Sequence, residues 1–326
     1  MLRIKPVLFL ILLVFNVQVA AFNAKDYAAE LSEAQILLTQ NKYQQAYQAY
    51  LQSAELNNNP LAQFSLALFY RFGWDRKPDP QQACHWYEKA AQQNIPAAQH
   101  FYAECLLYGI SDPPDPGMAA SWFKRAGDNG HTISFCSLGE LYIKGIGVIQ
   151  DRQQGLAMCI QAANAGIPKA MIKLADIHLM DFPELRSEPK AMNYLEQAAL
   201  LKNTEAQFRL GMIYRDGING HYIDKAKAIK WFEYAASLGY VPAYFQTGLL
   251  YFASEKNPVN NLLPPKALAK SYLWLSATKE RTQDQEELRK SKQILKIIDA
   301  MMPATWYSDL NNKLAQHLTL YPVNDN

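Results

Sequence analysis

A serine followed one helical turn later by a lysine places an amine where it can take the proton of a nucleophilic hydroxyl, and this spacing occurs twice. The matches are Ser121-Trp122-Phe123-Lys124 and Ser187-Glu188-Pro189-Lys190. Neither S-D-N nor K-T-G accompanies them, so the set needed to form and resolve an acyl-enzyme is incomplete. Metal chemistry would draw on the six histidines, His85, His100, His131, His178, His221 and His317, but no H-E-x-x-H or C-x-x-C occurs among them. His100 and Glu104 are one turn apart, yet two ligands do not make a metal site, and the pair reads as a polar contact on a helix face. Gly145-Ile146-Gly147 lacks the flanking residues of a phosphate loop. The sequence therefore predicts no catalytic residue, no metal and no cofactor.

Charge excludes further classes. The chain of 326 residues has 32 cations and 30 anions, a net charge of +2. Two of the cations, Arg3 and Lys5, stand at the extreme N-terminus, and the remainder balances the anions. A nucleic-acid binder or polybasic membrane protein needs a surplus of Lys and Arg, so neither is expected. Arg3 and Lys5 precede a short apolar run, Val7 to Val14, and then the small residues Val19-Ala20-Ala21. This is the grammar of a signal peptide over residues 1–21, too short to span a bilayer as a helix. No cysteine follows it for lipid attachment, and the mature protein is expected to be exported.

The elements that must position any site repeat along the chain. Ala90-Ala91 recurs as Ala126-Gly127, Ala162-Ala163, Ala198-Ala199 and Ala235-Ala236, every 36 or 37 residues. A second column of small residues runs Ala67, Ala103, Gly139, Ala175, Gly211 and Gly248, with a larger residue three positions after each. Periods of this size mean a helical solenoid. Within one period, Ala206, Leu210 and Tyr214 share a helix face, and Ala228, Phe232 and Ala235 make the answering face of a second helix. Thr204 is expected to cap the first helix. Asp79, Asp115, Asp151, Ser187 and Asp224 hold the capping position of the second, each side-chain oxygen contributing about 1 kcal/mol.

Leu138 to Asp151 (LGELYIKGIGVIQD) and Lys227 to Gly239 (KAIKWFEYAASLG) resemble the two halves of a Sel-1-like repeat, a relative of the tetratricopeptide repeat. The resemblance implies an all-α fold, a right-handed α/α solenoid of antiparallel helix pairs. Six units are expected, at 61–96, 97–131, 132–167, 168–203, 204–240 and 241–280, the last stretched by Asn257 to Pro265. Residues 22–60 resemble a tetratricopeptide-like capping unit, and 281–326 the closing helices of bacterial relatives. Unit four departs from the pattern, with Asp181 where a loop glycine is expected.

Families of this kind are mostly adaptors, which implies a periplasmic or secreted monomer from a Gram-negative cell that docks a peptide or partner protein. The resemblance also places the first helices on a concave face. The groove positions so implied are Phe64, Leu68, Arg71 and Phe72 in unit one, and His100, Glu104, Leu107 and Tyr108 in unit two. Unit three adds Glu140, Ile143 and Lys144, and unit four Ile172, Asp176, Leu179 and Met180. Units five and six add Phe208, Met212, Arg215 and Asp216, then Phe245 and Phe252. The alternative is a cell-wall or β-lactam enzyme, because some cysteine-rich Sel-1-like proteins have been described as β-lactamases. In that cysteine-rich type a Cys pair bridges each repeat junction, but the corresponding positions here, such as Ala91 and Ala98, hold none. Mapped onto tetratricopeptide geometry, Cys84 and Cys105 face each other across the junction of units one and two. They can form a bridge or remain free core thiols. Cys136 and Cys159, within unit three, are the less favoured pair.

Overall fold

A computed structural model describes residues 24–179 and 182–322 of the chain. The leader at 1–21, Met180 and Asp181 lie outside the described residues. Helices follow one another throughout: α1 (Ala24–Glu30), α2 (Ser32–Thr39), α3 (Tyr43–Leu56), α4 (Pro60–Phe72), α5 (Pro80–Gln92), α6 (Pro96–Tyr108), α7 (Pro116–Asp128), α8 (Ile133–Lys144) and α9 (Arg152–Asn164). They continue with α10 (Pro168–Leu179), α11 (Glu188–Leu200), α12 (Thr204–Asp216), α13 (Lys225–Ser237), α14 (Val241–Phe252), α15 (Pro265–Arg281), α16 (Gln285–Asp299) and α17 (Tyr307–Leu320). Among the described residues the only extended pairing is one isolated bridge, Ile218 to His221. Contacts divide the chain into two compact parts, up to residue 170 and from residue 171 onward.

Local chemistry sets the helix starts. Asp79, Asp115, Asp151 and Asp224 each accept a hydrogen bond from the backbone N–H three residues on, satisfying a donor that the helix leaves unpaired. Pro80 and Pro116 follow two of these caps, where a missing N–H is harmless. Two expectations are corrected. Ser187 occupies the capping position of α11 but its side chain makes no capping bond. At α12 the cap is Asn203, which accepts from Ala206 N at 2.9 Å, and Thr204 is already the first helical residue.

Packing then joins the helices in consecutive pairs. In the first part α4 pairs with α5, α6 with α7 and α8 with α9, and in the second α12 with α13 and α14 with α15. Within each part, successive pairs also pack on one another, as α5 does on α6 and α13 on α14. Columns of small residues make room for rings: Phe69, Phe123 and Phe232 are fully buried, each contributing roughly 1.5–3 kcal/mol. Hydroxyl–carboxylate joints tie successive pairs. Tyr102 donates to Glu88 at 3.1 Å, Tyr214 to Glu196 at 3.2 Å and Tyr251 to Glu233 at 2.7 Å. At the N-terminus, Glu30 accepts from Ser53, Asn57 and Asn59, which anchors α1 to the start of α4. At the other end α16 and α17 both pack on α15.

Two disulfides lie in the first part. Cys84–Cys105 joins α5 to α6 with the Cα atoms 5.9 Å apart, across the junction left open between bridge and free thiols. Cys136–Cys159 joins α8 to α9 with Cα atoms 4.0 Å apart. This second pair, less favoured from sequence, follows from an unusually close helix approach. A Cβ on Gly139 would strike the Gly155 carbonyl oxygen, and one on Gly155 would strike the Gly139 oxygen.

That contact yields a direct test. Gly155→Ala inserts a methyl against a carbonyl and should destabilise the fold by about 1–3 kcal/mol, seen as a lowered melting temperature. Gly117→Ala, whose methyl would find ordinary contacts at 3.5 and 3.6 Å, should leave the melting temperature level or slightly raised.

Candidate functional site

Five of the side chains singled out from sequence belong to one neighbourhood in the first compact part. Arg71 stands in the last turn of α4 and Glu104 in the third turn of α6, with Nη1 and Oε2 3.7 Å apart. His100, one turn before Glu104, places Nε2 3.6 Å from Oε1. The Arg71 guanidinium lies 4.4 Å from the centre of the Phe101 ring, an attractive cation–π distance. Phe72 stacks on Trp74 with ring centres 5.5 Å apart. Tyr108, one turn beyond Glu104, is 70% exposed. Arg71 and Glu104 meet at ion-pair distance, and both are about one-third exposed, at 39% and 34%.

Beneath them is a polar floor. The Tyr87 hydroxyl is buried without a hydrogen-bond partner. Burial pushes its pKa up to about 12, with the nearby Arg71 charge opposing the shift. Burial also acts to raise Glu104, but contact with His100, then the charges of His100, Arg71 and Lys169, hold that carboxyl below its usual range. On the far side, His100 Nδ1 and His131 Nδ1 share the Ser134 hydroxyl at 2.9 and 2.7 Å. One hydroxyl donates to one ring and accepts from the other. Burial first, then the charge of His100, drives His131 down to about 3, with Glu104 opposing.

The other sequence-picked residues fall into different places. Phe64 is core, packed on Tyr87 and Phe101 at 5.8 and 6.2 Å, and Phe245 is core in the second part. Leu68, Ile143 and Ile172 are likewise buried, so these five do not line an open groove. Glu140, Phe252 and Met212 are half-buried, and Lys144 is exposed at the end of α8. In the second part Arg209, not singled out from sequence, binds Asp176 at 2.6 Å and Glu205 at 2.7 Å. Its signal was present, since Glu205 precedes it by one turn. Arg215 binds Asp216 through two nitrogens, at 2.7 and 2.6 Å, and also reaches Gln246. Phe208, half-buried, tilts against Phe232 and Tyr240. The residues missed were Phe101, Tyr87, His131 and Ser134, which occupy core or turn positions rather than groove positions.

The first serine–lysine spacing is engaged elsewhere. Ser121 donates to the Gly117 carbonyl at 3.2 Å, and Lys124 pairs with Asp128 at 2.7 Å. Among the described residues, no cluster of three or more His, Cys, Asp or Glu is arranged to hold a metal. No described helix is long and apolar enough to cross a membrane.

Packed helix pairs at a period of 36 or 37 residues define an all-α helical-repeat protein. The chain belongs to the Sel1 repeat family: that repeat matches residues 60–95, 96–131, 136–167, 168–203 and 204–240, more than half of the length. The match gives five repeats and stops at 240, so the pair α14–α15 is a packed helix pair outside the matched repeats. A Sel1 repeat protein from Oxalobacter formigenes is 25% identical, covering 82% of this chain and 98% of its own, with a TM-score of 0.55. A protective antigen of uropathogenic Escherichia coli with an SLR fold is 17% identical, covering 85% and 72%, with a TM-score of 0.42. An immunity protein from Pseudomonas aeruginosa is 19% identical, covering 74% and 82%, with a TM-score of 0.41. No curated protein sequence matches the chain.

His131 sets a pH dependence. His131 has a folded pKa of about 3 against 6.5 for an ordinary histidine. Between those values the unfolded chain holds a proton that the folded chain does not, so stability falls as pH drops from about 6.5 toward 3. Glu104 acts in the same direction, but only below 4.5, as acid neutralises its lowered carboxyl. Thermal melts of the native chain should lose stability between pH 6.5 and 4.5, and His131→Gln should flatten that slope. Parallel curves for the two proteins would remove His131 as the cause.

Proposed function

We propose that this protein is an exported, non-catalytic adaptor that docks an extended segment of a partner protein on its first-helix face. The anchor is the Arg71–Glu104 pair. The observation that carries this reading is the contrast among the face's arginines. Arg209 and Arg215 bind carboxylates within the chain at 2.6–2.7 Å, whereas Arg71 and Glu104 form only a longer ion pair, at 3.7 Å. A donor and an acceptor of opposite charge 3.7 Å apart suit an uncharged group that both gives and accepts a hydrogen bond. A peptide amide is such a group. A carboxylate would meet Glu104 and an ammonium would meet Arg71, each a like-charge penalty. Phe72 lies beside Arg71, and Tyr108 is exposed one turn beyond Glu104, so both offer apolar contact to neighbouring side chains.

Export is supported by the leader grammar of residues 1–21 and by the pairing of all four cysteines, since structural disulfides persist in oxidising compartments. The family's general role as a protein-interaction scaffold agrees with the docking reading.

The test is a display selection of random peptides against the purified mature chain. Ligands of micromolar affinity, about −8 kcal/mol, are expected. Arg71→Ala, Glu104→Gln and Tyr108→Ala should each weaken them several-fold with the fold intact by circular dichroism, Glu104→Gln alone lowering the melting temperature slightly, while Arg215→Ala leaves binding intact. Because the pair is neutral overall, affinity should depend weakly on salt. Selected peptides that bind equally well to all three variants would move the site elsewhere, and ligands that demand an Asp or Glu would overturn the amide reading.

A further inference from the structure

Four cysteines can be joined in three ways. This chain joins each to its nearest neighbour in sequence, at separations of 21 and 23 residues. Cys84 belongs to the first matched repeat, Cys105 to the second, and Cys136 and Cys159 both to the third. Either alternative set would therefore contain a bond from the first repeat to the third. In a stacked array each repeat contacts only its neighbours, so no such bond fits the finished fold. The native pairs are also the ones met first when cysteines are offered in chain order.

Burial adds a constraint on timing. Cys84 and Cys105 are 3% and 6% exposed, and Cys136 and Cys159 are fully buried. The last two stand one helical turn from Gly139 and Gly155, whose backbones meet directly. Thiol–disulfide exchange needs direct attack of a thiolate on a disulfide sulfur, so access decides whether it proceeds.

We infer that the chain is a substrate of thiol–disulfide exchange that acts before the helix pairs close and joins the cysteines in order of appearance, without a later isomerisation. In each exchange a cysteine thiolate attacks the disulfide of a donor and forms a mixed disulfide, releasing one donor thiol. The second cysteine thiolate then displaces the other donor sulfur. Each pair loses two electrons and two protons, and the donor leaves as its reduced dithiol, or as two thiols when it is a small molecule. Two such exchanges complete the chain.

The test uses the mature chain and oxidised glutathione as the donor. Reduced, denatured protein diluted into native buffer with oxidised glutathione should give, by non-reducing peptide mapping, only the 84–105 and 136–159 linkages. Protein folded first under reductant and then moved to the same donor should oxidise at least tenfold more slowly, and urea should restore the rate. A reduced chain that does not fold at all supports the same order, because the bonds must then come first. Abundant 84–136 or 84–159 linkages would overturn the inference, as would a folded, reduced chain that oxidises as fast as the unfolded one. The separate question of compartment, which belongs to the export reading, is answered by thiol counting on protein taken from its native cell. Four free thiols there would sink the export reading and leave the in vitro pairing result untouched.

Discussion

Where Gly139 passes Gly155, two helix backbones come close enough that a single methyl on either would strike a carbonyl oxygen. Close approach through small residues is the constraint from which the rest of the structure follows. A pair of helices that meets backbone to backbone cannot be held by large interdigitating side chains at that point, so rings gather above and below it. At the equivalent place in the second part the Phe232 ring itself covers Gly211. The repeat length, the direction of each following helix and the reach between successive first helices all depend on this spacing. Arg71 and Glu104 meet because α4 and α6 are neighbours in that series, one repeat apart.

Charge is distributed differently over the two compact parts. In the second, Arg209 is tied down by carboxylates one turn away and on the preceding first helix, and Arg215 by the residue that follows it. Exposed ion pairs of that kind add little stability but fix side-chain direction. In the first, Arg71 and Glu104 form a longer ion pair, at 3.7 Å, over a floor that contains a buried tyrosine hydroxyl and a histidine kept neutral by burial. Polar groups left incompletely satisfied near a surface are costly to keep, and they concentrate where another molecule can complete them.

Much of this was legible in the residues. Small-residue columns and capping aspartates repeat at a fixed period, and each is fixed by a local rule that needs no partner: a helix needs its N–H groups capped, and close helices need small side chains. Errors arose where the deciding contact is remote. Asn203 rather than Thr204 caps α12, because either residue type can do so and the choice depends on where the preceding turn releases the chain. Phe64 and Phe245 were assigned to an open face. Yet α4 is buried along nearly its whole length, and a helix covered on most sides gives no polar stripe from which to read direction. Cys136 and Cys159 differ by a separation that carries no signal until the register of α8 against α9 is known. The Arg71–Glu104 pair lay among the groove residues, but its distinction from Arg215 rests on partners that only the folded chain supplies.

The placement of both disulfides in the first part also gives the molecule a mechanical direction. A helical array drawn out from its ends yields by unstacking its pairs and then uncoiling them into extended chain. Residues from 171 onward contain no covalent crosslink, so that half can be paid out over its full contour. In the first half, the stretches between Cys84 and Cys105 and between Cys136 and Cys159 stay closed. Each withholds roughly 70–80 Å of extended chain at about 3.3–3.6 Å per residue. Under tension the first part gives up less chain than the second, and the Arg71–Glu104 neighbourhood lies in that first part.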